Sequence, residues 1–269
     1  MLPNFIIIGA MKSGTTSLAK YLSEHPDVFV SDPKEPGFFC EKINWNKGIE
    51  WYEELFKNAK GYKAVGEAST HYTKFPEHPR VAEKIKNIIP EVKLIYIMRD
   101  PVDRAISHYW HMVHYHNETR PINKAIKLDS LYVWFSRYKY QMEPYLELFR
   151  KEQILFLLYD DLVKRPEETV KKCFEFLGVD PDFKPKSLGK AFNPRPKKVA
   201  KTNLLLHKIR WSKTWDKISP LVPKSLKDFA KKFEYKKIEP KEELSDKQKK
   251  KIRESLKEDI EFMYQVTKK

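Results

Sequence analysis

The chain has 269 residues, of which 41% are hydrophobic and 13% aromatic; this suffices for the core of one α/β domain and excludes a disordered chain. Its formal net charge of +15 favours an anionic partner, whether nucleic acid, acidic membrane surface, polyanion or phosphorylated cofactor. The two cysteines, Cys40 and Cys173, match no metal-binding spacing and indicate a reducing compartment. No secretory signal is recognisable and no apolar run approaches the roughly 20 residues of a membrane span, so we expect a cytoplasmic protein.

Short, continuously apolar runs predict strands that are buried on both faces of a parallel sheet. The runs are residues 5–8, 28–30, 63–65, 93–98 and 154–159. Helical patterns lie between them, at residues 15–25, 79–89, 102–115 and 166–177. Strands alternating with helices predict a three-layer α/β fold, with a central, mostly parallel sheet and helices on both faces.

The composition changes after about residue 184. Residues 184–203 are rich in proline and lysine and predict a basic loop, and residues 204–269 predict a helical C-terminal extension. Its last helix is expected at residues 244–266, where Ser245 and Gln248 have the spacing of a capping box. No linker divides the chain, so we expect a single domain of residues 1–269.

The first strand runs into a phosphate-binding type of loop, FIIIGAMKSGTTSL, at residues 5–18. A strand, a glycine-containing turn and a helix start direct backbone N–H groups and the positive helix end at one point. The loop of ATPases reads Gly-x-x-x-x-Gly-Lys-Ser/Thr. Here Gly9 and Gly14 have that spacing, but Thr15 occupies the lysine position and the lysine is Lys12.

A second anion-binding position is predicted after the strand at residues 93–98. Arg99 follows the strand directly, and an arginine at a strand end is an anion ligand rather than a metal ligand. Ser107 lies eight residues further on, inside the next helix. Asp100 leaves a magnesium role open. Two phosphate positions without an obvious metal site indicate a nucleotide phosphorylated at two places.

These motifs resemble, over residues 4–182 and in the same order, the sulfotransferases that use 3′-phosphoadenosine 5′-phosphosulfate (PAPS). The heparan-type and bacterial members are more similar than the cytosolic ones. The resemblance implies transfer of a sulfuryl group to a hydroxyl or amine of a saccharide or small molecule, with Lys12 stabilising the leaving oxygen and no metal required. It implies these nucleotide-binding residues: Lys12, Ser13, Gly14, Thr15, Thr16, Ser17, Arg99, Ser107 and Tyr159.

The acceptor side is also implied by resemblance. The segment SDPKEPGFFCE, residues 31–41, is similar to the Lys/Asn-Glu-x-x-Phe-Phe segment of heparan-type enzymes, which makes Glu35 the first candidate for the base, with Lys34 beside it. Some relatives carry a catalytic histidine four residues after the 3′-phosphate serine, which makes His111 the second candidate. Glu67 and Tyr72 match a segment of the acceptor cleft, although Ala68 stands where several of those enzymes have a catalytic lysine.

A basic loop covers the nucleotide in this family. Its counterpart here is LGKAFNPRPKK, which contains the candidates Lys190, Arg195, Lys197 and Lys198, none of them a clean match. Histidines crowd the helix that carries His111, but no Glu-x-x-His pattern or cysteine partner supports a metal site there.

Two other functions remain open from the residues alone. A phosphotransferase using magnesium and ATP is disfavoured by the displaced Lys12 and by Arg99 at the strand end. A non-enzymatic binder of nucleic acid or another polyanion is supported by the charge. However, the chain has no RNA-recognition motif, zinc finger or basic zipper, so we expect no nucleic-acid partner. The acceptor and the oligomeric state are not indicated.

Overall fold

Five parallel strands form the central sheet of the computed structural model, which describes residues 1–116, 118–192, 199–202, 235–238 and 242–268. The order across the sheet is β2-β3-β1-β4-β5, and every neighbouring pair is parallel. This confirms the predicted α/β fold. The strands are β1 (Phe5–Gly9), β2 (Val28–Val30), β3 (Ala64–Ala68), β4 (Lys93–Met98) and β5 (Ile154–Leu158).

Helices connect these strands and continue beyond them. They are α1 (Thr15–Leu22), α2 (Gly48–Glu54), α3 (Val81–Ile88), α4 (Pro101–Tyr115), α5 (Ile122–Ala125), α6 (Leu131–Trp134), α7 (Tyr138–Leu148), α8 (Tyr159–Lys164), α9 (Pro166–Leu177), α10 (Asp246–Ser255) and α11 (Lys257–Thr267). Short 3-10 turns occur at Trp45–Lys47, Thr70–Thr73 and Lys151–Gln153.

The sheet is buried on both faces because alternate residues of its central strands enter two different hydrophobic clusters. Ile6 and Ile8 of β1 pack with side chains of α2, α3, α7 and α11. Phe5 and Ile7 point the other way and pack with α1 and α9. Continuous apolar strands are what a sheet covered on both faces requires, which is why these strands do not alternate in sequence.

The strand order creates a crevice above the centre of the sheet. After β1 the chain crosses through α1 on one face, whereas after β4 it returns to β5 through α7 on the other. Such a reversal leaves an opening at the carboxyl ends of the two strands, where α/β proteins bind ligands. The loops that carry Lys12 and Arg99 both leave the sheet there, because β1 and β4 are neighbours.

The C-terminal part differs from the prediction in two respects. Strand β6 (Val199–Thr202) lies within the predicted loop and pairs antiparallel with β7 (Tyr235–Ile238), so the extension is not wholly helical. The predicted last helix is divided at Leu256 into α10 and α11. Ile252 and Leu256 pack on α4, whereas Phe262 and Met263 belong to the hydrophobic cluster on one face of the sheet. A break between the two helices allows both sets of side chains to be buried. Half of the predicted capping box is present: Ser245 Oγ accepts from Gln248 N–H, whereas Ser245 N–H donates to Asn123 Oδ1 rather than to the Gln248 side chain.

Within the described part of the chain, no helix is both long and apolar enough to cross a lipid bilayer.

Candidate active site

The loop between β1 and α1 is shaped by backbone contacts. Ala10 N–H donates to the Ile97 carbonyl of β4, which holds the loop over the neighbouring strand. Gly14 has φ 88° and precedes the first residue of α1. A Cβ at Gly14 would lie 2.9 Å from the Tyr159 ring, so both the left-handed backbone and the close ring require glycine.

Lys12 lies in the wall of a cavity at the carboxyl ends of β1 and β4. Its φ of 69° is rare for a residue with a side chain, and such strain clusters at functional sites. Burial, followed by the positive charges of Arg99 and Lys34, lowers the pKa of Lys12 below its ordinary value. Positive charges therefore converge on this point, which suits an anionic group.

The other loop residues fall into two groups. Thr15, Thr16 and Ser17 line the cavity together with Lys12 and Gly14, as expected for nucleotide contacts. Ser17 Oγ also accepts a hydrogen bond of 3.0 Å from Phe192 N–H. Ser13 is fully buried, does not line the cavity, and its N–H donates to the Ala10 carbonyl. The structure therefore does not bring the Ser13 side chain to the cavity, and its nucleotide contact stays a prediction.

Arg99 forms the second wall, at the end of β4. The Tyr138 hydroxyl donates to the Arg99 carbonyl at 2.7 Å and accepts from its N–H at 3.3 Å. The guanidinium carbon lies 4.8 Å from the centre of the Tyr159 ring. Ser107, two turns along α4, lines the same cavity. The structure thus brings Arg99, Ser107 and Tyr159 together with the loop, as the sequence predicted.

Asp100, which follows Arg99, caps the next helix. Its Oδ1 accepts hydrogen bonds from the N–H groups of Val102 and Asp103 and caps α4. Asp100 does not line the cavity. Among the described residues, no group of three or more His, Cys, Asp or Glu side chains has the geometry of a metal site.

Glu35 lies across the same cavity, with φ 62°. Its carboxylate accepts from Thr70 N–H at 3.0 Å and from Thr70 Oγ1 at 3.0 Å, and it contacts Lys34 Nζ at 2.5 Å. His71 Nδ1 lies 3.3 Å from Glu35 Oε2. Burial would raise the pKa of Glu35, but His71 and Lys34 outweigh it and hold the pKa at about 2. The carboxylate is therefore ionised at neutral pH.

His71 is a cavity residue that the sequence reasoning did not identify. It lies one position before Tyr72, so its signal was present in the segment GEASTHY. It ranks beside Lys34 as a direct partner of the candidate base.

His111 also lines the cavity, from α4. Burial, followed by the charges of Lys12 and His116, lowers the pKa of His111 to about 4. The imidazole is therefore neutral at neutral pH and could accept a proton. His108, one turn earlier, lines the cavity too and packs 4.9 Å from the Tyr132 ring.

One cavity of about 1390 Å³ thus joins the loop, the Arg99 wall and the Glu35 side. Lysine and arginine side chains outnumber carboxylates in its lining, six to four. Its lining also includes the apolar side chains of Ile43, Leu131 and Phe135. The arrangement offers clustered cations beside an ionised carboxylate in a partly buried space.

A model of a protein family described as a sulfotransferase domain matches residues 2–263. The chain belongs to the sulfotransferase family. A solved sulfotransferase from Alicyclobacillus acidocaldarius is 31% identical, covers 73% of this chain and 87% of its own, and superimposes with a TM-score of 0.63. A sulfotransferase domain from the curacin biosynthetic pathway, 16% identical, shares the fold over 72% of this chain and 80% of its own with a TM-score of 0.53.

Two curated relatives are similar over shorter stretches. The membrane-associated sulfotransferase kil1 of Dictyostelium discoideum is 40% identical over 40% of this chain and 22% of its own length. The heparan sulfate glucosamine 3-O-sulfotransferase 3B1 of Mus musculus is 31% identical over 66% of this chain and 46% of its own length. The chain therefore matches less than half of the length of either relative.

Two residues predicted to contact an acceptor lie outside the cavity lining. Glu67 is fully buried and Tyr72 is 2% exposed, and neither lines the cavity. Glu67 Oε1 accepts from the hydroxyls of Tyr52 at 3.0 Å and Tyr72 at 2.6 Å, and Oε2 accepts from Ser69 Oγ at 2.6 Å. These contacts turn both side chains into the core, so the structure does not bring Glu67 or Tyr72 to the cavity, and their acceptor contact stays a prediction.

The basic loop is only partly described. Lys190 is exposed and outside the cavity lining, and its carbonyl accepts from the Tyr21 hydroxyl at 2.8 Å. Ala191 and Phe192 line the cavity in its place, which the sequence reasoning missed although an aromatic residue stood in the loop. Predicted contacts of Arg195, Lys197 and Lys198 lie outside the described residues.

Proposed function

We propose that the protein transfers a sulfuryl group from PAPS to a hydroxyl or amine of an acceptor. The observation that carries the proposal is the single cavity that Lys12, the Arg99–Ser107 wall and Glu35 share. Membership of the sulfotransferase family supports the reaction class. The resemblance of the loop at residues 12–16 supports the nucleotide.

The donor side of the cavity fits a nucleotide phosphorylated at two positions. The β1–α1 loop presents Lys12, Thr15 and Thr16 at the start of a helix, which is a general phosphate-binding arrangement. Arg99 and Ser107 form a separate group on β4 and α4. Between them, the rings of Tyr159 and Phe192 offer surfaces for the adenosine part. Placing the phosphosulfate at Lys12 and the 3′-phosphate at Arg99 gives each anion its own cationic residue.

The transfer step follows from the charges on either side. Glu35 accepts the proton of the acceptor hydroxyl or amine as the new bond to sulfur forms. The bond between sulfur and the bridging oxygen breaks, and adenosine 3′,5′-bisphosphate leaves with the electron pair. Lys12 stabilises the negative charge on that oxygen. No metal is required in this scheme, because cationic side chains supply the charge.

We place the acceptor in the part of the cavity beyond Glu35, and we propose a saccharide or small molecule. Lys42, Lys74 and Arg120 line the cavity together with Glu35, as do the apolar residues Ile43 and Leu131. Such a lining favours an acceptor that carries acidic groups next to its reacting hydroxyl or amine. We also propose a cytoplasmic location, which fractionation with a membrane-protein marker would test.

The first experiment is thermal unfolding with adenosine 3′,5′-bisphosphate, with ADP and with ATP plus magnesium. A ligand that binds only the folded state raises the melting temperature. We expect stabilisation by the bisphosphate without magnesium, and a smaller effect of ADP, which lacks the 3′-phosphate. A preference for ATP with magnesium would overturn the proposal in favour of phosphotransfer, and stabilisation by DNA alone would favour polyanion binding.

Positive binding is followed by a transfer assay with labelled PAPS. The acceptor panel contains uronic acid–glucosamine oligosaccharides with free amines, the same oligosaccharides N-acetylated, neutral oligosaccharides, phenols and aliphatic alcohols. We expect acidic saccharides to be labelled faster than neutral ones. The free and N-acetylated pair separates transfer to nitrogen from transfer to oxygen. Absence of labelling across the panel, despite bisphosphate binding, would contradict the proposed acceptor class.

A further inference from the structure

A buried glutamate lies directly behind the candidate base, and the proposed function does not use it. Glu67 is on β3, is fully buried, and accepts hydrogen bonds from three hydroxyl groups. A buried carboxylate is costly unless its lone pairs are satisfied. The three donors satisfy lone pairs of the ionised carboxyl group and so offset part of the cost of burying its charge.

The Ser69 side chain connects Glu67 by hydrogen bonds to the turn that carries Glu35. Ser69 Oγ donates to Glu67 Oε2 at 2.6 Å and accepts from Gly37 N–H at 2.9 Å. Gly37 lies two residues after Glu35 and has φ 58°, so its amide ends the turn that carries the base. Ser69 therefore ties the turn of Glu35 to the interior of the protein.

The residue after Ser69 holds the carboxylate itself. Thr70 donates to Glu35 through both its N–H and its Oγ1. The Glu35 N–H donates to the carbonyl of Ala68, at the end of β3. The position of Glu35 thus depends on residues 68–70, and Glu67 fixes the hydroxyl of the middle one.

We propose that Glu67 is a positioning residue that holds Glu35 in its reactive orientation when its own carboxyl group is ionised. The inference rests on the proposed function, because it assumes that Glu35 is the base. A proton on Glu67 Oε2 would become the donor toward Ser69 Oγ. The Ser69 hydroxyl would then lose its acceptor while it still accepts from Gly37, and the support of the turn would weaken.

The surroundings of Glu67 bring this ionisation into the physiological range. Burial raises the pKa of Glu67 to about 7, against the opposing effect of the bonds from Ser69, Tyr72 and Tyr52, while the charge of Glu35 raises it further. Cys40 also interacts with Glu67, and burial raises the pKa of its thiol to about 12, so it stays neutral. Burial likewise raises the pKa of the Tyr52 and Tyr72 hydroxyls well above the ordinary value. Transfer activity is therefore expected to increase as Glu67 ionises.

The test compares kcat against pH for wild type and Glu67→Gln, using the fastest acceptor of the panel. Wild type should gain activity through an apparent pKa near 7, whereas Glu67→Gln should be at least about tenfold slower at pH 8 and lack this step. KM for PAPS should not change, since Glu67 is outside the cavity. Bisphosphate stabilisation verifies that the variant is folded.

Tyr52→Phe provides a second test that does not depend on losing the carboxyl group. It removes one donor that favours the carboxylate, so the activity step should move to higher pH. Tyr145→Phe is the matched control. It also removes one buried tyrosine hydroxyl on the same face of the sheet, but that hydroxyl donates to the Tyr72 carbonyl and not to Glu67. Tyr145→Phe should leave the step in place.

An infrared titration separates failure of this inference from failure of the proposed function. The wild type should show a protonated carboxyl band that disappears near pH 7, and Glu67→Gln should lack it. If the wild type transfers the sulfuryl group, but the pH step remains in Glu67→Gln or does not move in Tyr52→Phe, the positioning role alone is overturned. A wild type that shows the band but transfers to no acceptor overturns the proposed function, and the positioning role with it.

Discussion

The proposed donor and acceptor sides of the cavity are built in different ways. On the donor side, backbone geometry places Lys12 and Arg99 at the ends of two neighbouring strands, with Gly14 allowing close packing on Tyr159. On the acceptor side, side-chain contacts hold Glu35 through Lys34, Thr70 and His71. The positions of strand ends are determined by the topology of the sheet. In a side-chain network, by contrast, one residue can be replaced without moving the backbone. The donor side is therefore expected to tolerate substitutions in the acceptor network.

Replacing the base gives the largest expected effect. Glu35→Gln keeps the size of the side chain but removes proton acceptance, so kcat should fall about 10²- to 10⁴-fold. Affinity for adenosine 3′,5′-bisphosphate, measured by calorimetry, should not change if the two sides are independent. Glu41→Gln is the control, since Glu41 is exposed and paired with Lys84 at 2.7 Å. A normal rate in Glu35→Gln would remove Glu35 from the mechanism.

The ion pair between Lys34 and Glu35 gives a second prediction, which concerns the pH dependence of activity. With its pKa held at about 2, Glu35 stays ionised across the usual assay range and contributes no acid limb above about pH 4. Once the charge of Lys34 is removed, His71 is left to oppose the effect of burial, so Lys34→Ala should raise the pKa of Glu35 and add an acid limb at lower pH than the step expected from Glu67. An unchanged profile in Lys34→Ala would show that the pair does not control the base.

Lys12→Ala should lower kcat by about 10²- to 10³-fold, because it removes the charge expected to stabilise the leaving oxygen. Single-turnover measurements at saturating PAPS separate this loss from weaker binding. Lys20→Ala is the control, because Lys20 is exposed on α1. Equal losses in both variants would mean that general positive charge, rather than the position of Lys12, supports the reaction.

The raised pKa of buried Glu67 should make the free energy of unfolding depend on pH. Its pKa is raised to about 7 in the folded protein, so the neutral form favours folding at low pH, and this contribution is lost as the pH rises from about 4.5 to 7. A change of that size corresponds to about 3 kcal/mol. Urea unfolding should show Glu67→Gln gaining stability relative to wild type over this window. A difference that does not vary with pH would contradict the shifted pKa.

The smallest effects are expected within the donor side. Arg99→Ala should weaken bisphosphate binding by about 10- to 100-fold, and Ser107→Ala by about fivefold, as for a charged and a neutral hydrogen bond. ADP lacks the 3′-phosphate, so its binding should change little. Arg253→Ala is the control, since Arg253 is half-exposed and lies 3.5 Å from Asp100 outside the cavity. Equal loss of ADP binding would place the 3′-phosphate elsewhere.

The sequence by itself determined the fold class and identified the residues of the proposed donor side. Continuous apolar strands are a local signal of burial on two faces, and all five predicted strands are present. Lys12 and Thr15 were identifiable because a phosphate-binding type of loop is formed by residues close together in the chain, and Arg99 because it directly follows a predicted strand.

Only the tertiary structure decided the orientation of single side chains and the partners of the base. Ser13 and Glu67 belong to the right segments but point into the core, because neighbouring residues on a strand or turn face opposite ways. His71, Thr70 and Phe192 became site residues through contacts over 35 positions or more in the chain. Such contacts leave no local pattern, since their energy depends on burial and distance between segments that meet only in the folded protein.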